Sequence, residues 1–160
     1  MGIFDNLFGK KENWNEIRKT NEVYIKNSSI SILMLQTESG ENGTGWVDKG
    51  YVNYKFKKYC PYNFLIMVDF TDEIADKNPD LDMGTVEDFF VEELRKIGIA
   101  HIVARVVTDK GMNIEMYIEN MEDSMKRLKE ISEDKNRLVS FSCEVNNDPK
   151  WKAVSGLMNL

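Results

Sequence analysis

The sequence is poor in the residues from which most catalytic and metal centres are assembled. Its 160 residues include one histidine, two cysteines and three prolines. A lone imidazole, His101, excludes any site built on two or more. Cys60 and Cys143 form no C-x-x-C pair and suggest no disulfide framework. No apolar run approaches the roughly 20 residues that a membrane span needs. No basic segment followed by an apolar stretch and a small-residue cleavage site opens the chain, so a cytoplasmic location is expected. Internal repeats and low-complexity tracts are also lacking.

What is present is an ordinary globular mixture, 42% hydrophobic and 30% charged. The formal charge of −6 is unevenly spread. Residues 1–60 hold 9 basic and 7 acidic side chains, and residues 61–160 hold 12 basic and 20 acidic. Ten carboxylates lie between Asp69 and Glu93, against Lys77 alone. Such a surface repels phosphate backbones, which argues against nucleic-acid binding and for a basic protein partner.

Residues 1–12 read as a separate amphipathic segment. Ile3, Phe4, Leu7 and Phe8 share a helical face, suited to docking on the domain or to a membrane surface. Residues 13–160 read as a single α+β domain. Ser29–Thr37 predicts one strand in an N-terminal extension, and Glu38–Gly45, with three glycines, a flexible loop. Trp46–Tyr59 is an aromatic connection. Beyond Pro61 the signals sharpen. Strands are expected at Phe64–Phe70, Ala100–Thr108, Met112–Glu119 and Leu138–Val145. Helices are expected at Thr85–Ile97, with Thr85 and Asp88 in a capping-box arrangement, and at Met121–Glu133, capped by Asn120. A short terminal helix carries Trp151, Val154 and Leu157. The order β-α-β-β-α-β implies a ferredoxin-like antiparallel sheet with both helices on one face.

In that arrangement Ile102, Ala104 and Val106 face the helices. His101, Arg105, Glu115 and Tyr117 then share the opposite, open face, with Arg105 and Glu115 as a cross-strand pair. Two candidate sites follow. One is the acidic surface of Asp72, Glu73, Asp80 and Asp82. The other is the open face around His101, Arg105, Glu115 and Tyr117, where a deep aromatic pocket around Trp46, Tyr51 and Tyr117 would favour a small-molecule ligand. Asp76, Asn78, Asp80, Asp82 and Glu87 have the spacing of a calcium loop, but Leu81 stands where the turn glycine belongs and Pro79 stiffens the segment, so no metal is expected. No second group activates His101, and no catalytic residue or cofactor is implied.

Several short motifs carry a family resemblance. Tyr54-Lys55-Phe56-Lys57 leads into Tyr62-Asn63-Phe64-Leu65-Ile66. An acidic loop with Gly84 precedes a helix that contains Glu87-Asp88 and ends at Leu94. Thr108-Asp109-Lys110-Gly111 precedes a strand with Tyr117, and Asp148-Pro149-Lys150-Trp151 closes the region. In this order they resemble a bacterial domain-of-unknown-function family numbered six-nine-five, although Met112–Ile114 and Met116 replace a more aromatic strand. That family looks related to the ribonuclease E inhibitor family, acidic proteins that bind an enzyme. The resemblance implies a ferredoxin-like sheet and a regulator rather than an enzyme. The expected function is a non-enzymatic protein-binding module, with a small-molecule-binding domain or a hydrolase as alternatives. Oligomeric state is left open.

Overall fold

A computed structural model describes residues 12–160; the segment expected to be amphipathic lies almost wholly outside them. The described residues form a mixed α+β architecture with one six-stranded antiparallel sheet and five α-helices. In chain order these are α1 (Trp14–Ile17), β1 (Ile30–Gln36), β2 (Asn42–Asp48), β3 (Tyr62–Asp69), α2 (Glu73–Asp76), α3 (Met83–Arg95), β4 (Ala100–Thr108), β5 (Gly111–Ile118), α4 (Met121–Glu133), β6 (Ser140–Asn147) and α5 (Ser155–Met158). The strand order is β1-β2-β4-β5-β3-β6.

The expected sheet has four strands, with one further strand in the N-terminal extension. The observed sheet has six, and both β1 and β2 are added beside β4, so its strand order differs from a simple ferredoxin-like sheet. The second half of the glycine-rich stretch taken for a loop, from Asn42 to Gly45, begins β2. Its glycines permit close approach rather than disorder. A Cβ on Gly45 would stand 2.2 Å from the Arg105 carbonyl oxygen, so only glycine lets β2 lie this close to β4.

Helices α3 and α4 cover one face of the sheet, as the apolar periodicity predicts. Val86, Phe90, Val91 and Leu94 from α3, with Leu128 and Ile131 from α4, meet Phe64, Ile66, Ile114 and Met116 of the strands. Phe89 is only half-buried, while Phe90 is fully enclosed. The cap of α3 is Asp82, whose carboxylate accepts from the Thr85 N–H at 3.2 Å, and not Thr85 as expected. An acidic side chain there satisfies an orphan donor and also favours the positive end of the helix dipole. Helix α4 has the expected bounds and the expected Asn120 cap.

The opposite face is not open along its whole length. A second layer drawn from both ends of the described chain lies over its far half. Val23, Tyr51, Tyr54, Phe56, Cys60, Trp151 and Val154 pack there against Ile99, Val103 and Tyr117. Leu157 and Met158 of the C-terminal segment extend the layer over Leu33, Val47 and Ala104.

Strand β4 changes hands midway. Its register with β5 shifts between Ile102 and Ala104, a β-bulge at Val103. A single extra residue reverses which side chains face which way, because the strand period is two. Before the bulge, Ile102 faces the helices and His101 the second layer. After it, Arg105 and Val107 face the helices, and Ala104 and Val106 do not. The alternation read from the sequence assumed an unbroken strand and so placed these four residues on the wrong sides.

Candidate functional site

The residues expected on one open face are divided by this geometry. His101 and Tyr117 are fully buried beneath the second layer. Glu115 lies on the same face but is half-buried, and Arg105 projects from the other side of the sheet. The Arg105–Glu115 pair is replaced by two others. Arg105 Nη1 donates to Glu87 Oε2 at 2.7 Å, and Asn63 Nδ2 donates to Glu115 Oε2 at 2.7 Å. Burial raises the Glu115 carboxyl above its ordinary range, and the Asn63 hydrogen bond opposes that shift.

Around His101 every polar atom has a partner. The Tyr54 hydroxyl donates to the Val23 carbonyl at 2.6 Å, so it accepts from His101 Nε2–H at 2.9 Å. Nδ1 then accepts from the Tyr51 hydroxyl at 3.2 Å. The imidazole is thereby held as the neutral Nε2–H tautomer. Burial, with the nearby Arg95 charge, lowers its pKa from 6.5 to about 3. Trp151 stacks on Tyr117 at 4.1 Å between centroids and donates to the Cys60 carbonyl at 3.0 Å. The Tyr117 hydroxyl donates to Asp148 Oδ2 at 2.7 Å. Tyr51 and Tyr117 thus line packed core, and Trp46, opposite Arg105 in the register, lies on the other face of the sheet. The aromatic pocket that would have favoured a small-molecule ligand is therefore not formed by these three. Burial holds the Cys60 and Cys143 thiols near pKa 12, which keeps them protonated and poorly nucleophilic.

The acidic surface also resolves into parts. Two of its ten carboxylates are held in ion pairs. Glu87 pairs with Arg105, and burial raises its pKa against that cation. Glu93 is buried between α3 and α4, where it binds Arg127 at 2.6 Å and also Lys96. Asp72 caps α2 by accepting from Ile74 N–H and Ala75 N–H, and a hydrogen bond with Ser140 contributes most to holding its carboxyl below the ordinary range. Glu73, Asp80 and Asp82 are exposed, as expected. The calcium-loop spacing does not become a cage. Asp82 caps α3 and Glu87 turns to Arg105, and among the described residues no three or more His, Cys, Asp or Glu side chains stand together as a metal site.

Sequence reading missed the surface that remains. α3 and α4 cover the β4-β5-β3-β6 part of the sheet, and among the described residues no helix covers the same face of β1 and β2. Ile32, Trp46 and Arg105 lie in register across it, as do Met34, Thr44 and Val107. Ile32 is 75% exposed and Met34 87% exposed. At its end, a cleft of about 860 Å³ opens against the start of α3, lined by Met34, Thr44, Met83, Val107 and Asp109. The alternation of Ile30, Ile32 and Met34 was the available signal, but it reads equally well as a buried face. No helix among the described residues is long and apolar enough to cross a membrane. Comparison with protein-family models, with curated proteins and with solved structures gives no match for this chain.

Proposed function

We propose that the chain is a cytoplasmic, non-enzymatic protein-binding module that takes a basic, partly apolar partner segment. The bare β1–β2 face supplies the apolar floor, and the exposed acids at the entrance to α3 supply the charge. The observation that carries this reading is their juxtaposition: the Met34 end of the floor opens into a cleft bounded by Met83, one residue after the exposed Asp82 cap. Exposed large apolar side chains grouped beside charge mark interaction surfaces more often than scattered ones do. The internal use of His101, Glu87 and both cysteines supports binding over catalysis. The reading includes the kinship with the six-nine-five family and its ribonuclease E inhibitor relatives, and it treats the β3–β6 unit with α3 and α4 as the ferredoxin-like arrangement.

The test is a two-part variant series against a partner purified from cytosol. Asp72→Asn, Glu73→Gln, Asp80→Asn and Asp82→Asn together should slow association at low salt, since rim charges act mainly on encounter. Asparagine preserves both helix caps, so the fold is kept. Met34→Ala should instead speed dissociation. Wild-type rates in both variants would show that neither part of the surface binds.

A further inference from the structure

We propose that β1 pairs with β1 of a second copy, joining two sheets into one across a two-fold axis. The hydrogen-bond parity of the strand carries the argument. Lys49 N–H donates to the Ser29 carbonyl and Thr37 N–H to the Glu41 carbonyl, each pair one step beyond an end of the β1–β2 register and in line with it. Odd-numbered residues of β1 therefore direct their backbone groups inward to β2. Ile30, Ile32, Met34 and Gln36 direct theirs outward, where no strand lies among the described residues.

A two-fold axis through Leu33 sets Ile32 opposite Met34 of the other copy, and Ile30 opposite Gln36. Both pairs join outward-facing residues, so each closes two hydrogen bonds. Any two-fold axis through a residue pairs residues of like parity, so the outward groups of β1 can all find counterparts in a second copy. Ile32 and Met34, the most exposed side chains of the strand, then meet their counterparts directly across the axis. Natural sheets guard free edges with charge, proline or a bulge. The seven residues of β1 hold no charge and no proline, and their register with β2 is unbroken. The charges lie just outside the strand and are complementary. Lys26 precedes it and Glu38 follows it, both exposed, so antiparallel pairing brings Glu38 of each copy toward the end that carries Lys26 of the other.

The inference deepens the proposed function and rests on it for its consequence. Two bare β1–β2 faces become one floor four strands wide, flanked by α3 of each copy. The pairing itself rests only on the strand edge.

Sedimentation velocity at about 100 µM tests it, a concentration at which even a Kd of tens of micromolar leaves most chains paired. The wild-type chain should sediment at twice 18.6 kDa. Ile32→Pro removes an outward N–H while leaving the β1–β2 ladder intact, and should sediment at 18.6 kDa with an unchanged circular dichroism spectrum. If that variant misfolds, Ile32→Lys with Met34→Lys keeps the test, since both side chains are exposed and lysine blocks edge pairing. Lys26→Glu should weaken the dimer, and adding Glu38→Lys should restore it. A dimer that persists in the folded edge variants overturns the proposal. So does a wild-type monomer, and one that still binds its partner leaves the proposed function standing.

Discussion

The Tyr54 hydroxyl lies between two groups with opposite demands: it gives its proton to the Val23 carbonyl and receives one from His101 Nε2 at 2.9 Å. A second proton on Nδ1 would need an acceptor where the Tyr51 hydroxyl now donates, and it would place a charge in a fully buried site. Folding therefore selects neutral histidine.

The pH dependence follows with a definite sign. The unfolded chain binds the proton near pH 6.5, whereas the folded chain does so only near pH 3. The stability from neutral His101 is complete above about pH 6.5 and is lost as pH falls toward 3, at up to about 1.4 kcal/mol per unit. Urea denaturation at several pH values should show this slope. His101→Gln should remove it while keeping the slope from the carboxylates. An unaltered slope in the variant would place the acid sensitivity elsewhere.

Neighbouring phenylalanines in α3 should respond unequally to truncation. Phe90 is fully buried against Phe141 and the strands, and Phe90→Ala should cost about 3–5 kcal/mol. Phe89 is half-buried, and its truncation should cost clearly less. Equal shifts in the denaturation midpoint would mean that α3 is rotated on the sheet.

Gly45→Ala should destabilise the β2–β4 junction. The added methyl would stand 2.2 Å from the Arg105 carbonyl oxygen, a backbone atom unable to move aside alone. A cost of about 1–3 kcal/mol is expected, as for other overpacking changes. Hydrogen exchange should show the loss in β1 and β2 first, with β3 and β6 spared.

The Arg105–Glu87 pair lends itself to a double-mutant cycle. Its side chains are 22% and 17% exposed, and Arg105 Nε has no hydrogen-bond partner among the described residues. Removing either charge strands the other under α3. Glu87→Gln and Arg105→Met should each cost about 1–3 kcal/mol, and the double variant less than their sum. Additive losses would show that the pair is not coupled.

These residues also show what the sequence made legible. The Val86–Phe90–Leu94 repeat and the Asn120 cap located both helices, because helical periodicity and capping are local properties. The strand at Ala100–Thr108 was found with its observed bounds, yet half of its side chains were assigned to the wrong face. A bulge at Val103 is a property of pairing between strands, and nothing in the β-branched run marks it. Strand β2 was missed for a related reason, since Gly43 and Gly45 signal a loop unless the neighbouring backbone of β4 is known. His101 was expected on a strand surface because the layer that buries it comes from residues far along the chain in both directions. The two halves of the candidate surface fared differently. The exposed acids were visible as composition, but the bare face depends on how far two helices reach across six strands.

The layer over His101 has a consequence for the order in which the protein is made. The helix-side core draws on residues from Phe64 to Val139, and all of them are available once β6 has been synthesised. The aromatic layer needs Trp151, whose indole spans Tyr117 and the Cys60 carbonyl. Until residue 151 leaves the ribosome, the nascent chain lacks the indole that stacks on Tyr117, although Tyr51 and Tyr54, the direct partners of His101, are already made. Synthesis thus supplies the hydrogen-bond partners of His101 before its own strand, and the indole that stacks on Tyr117 only after it.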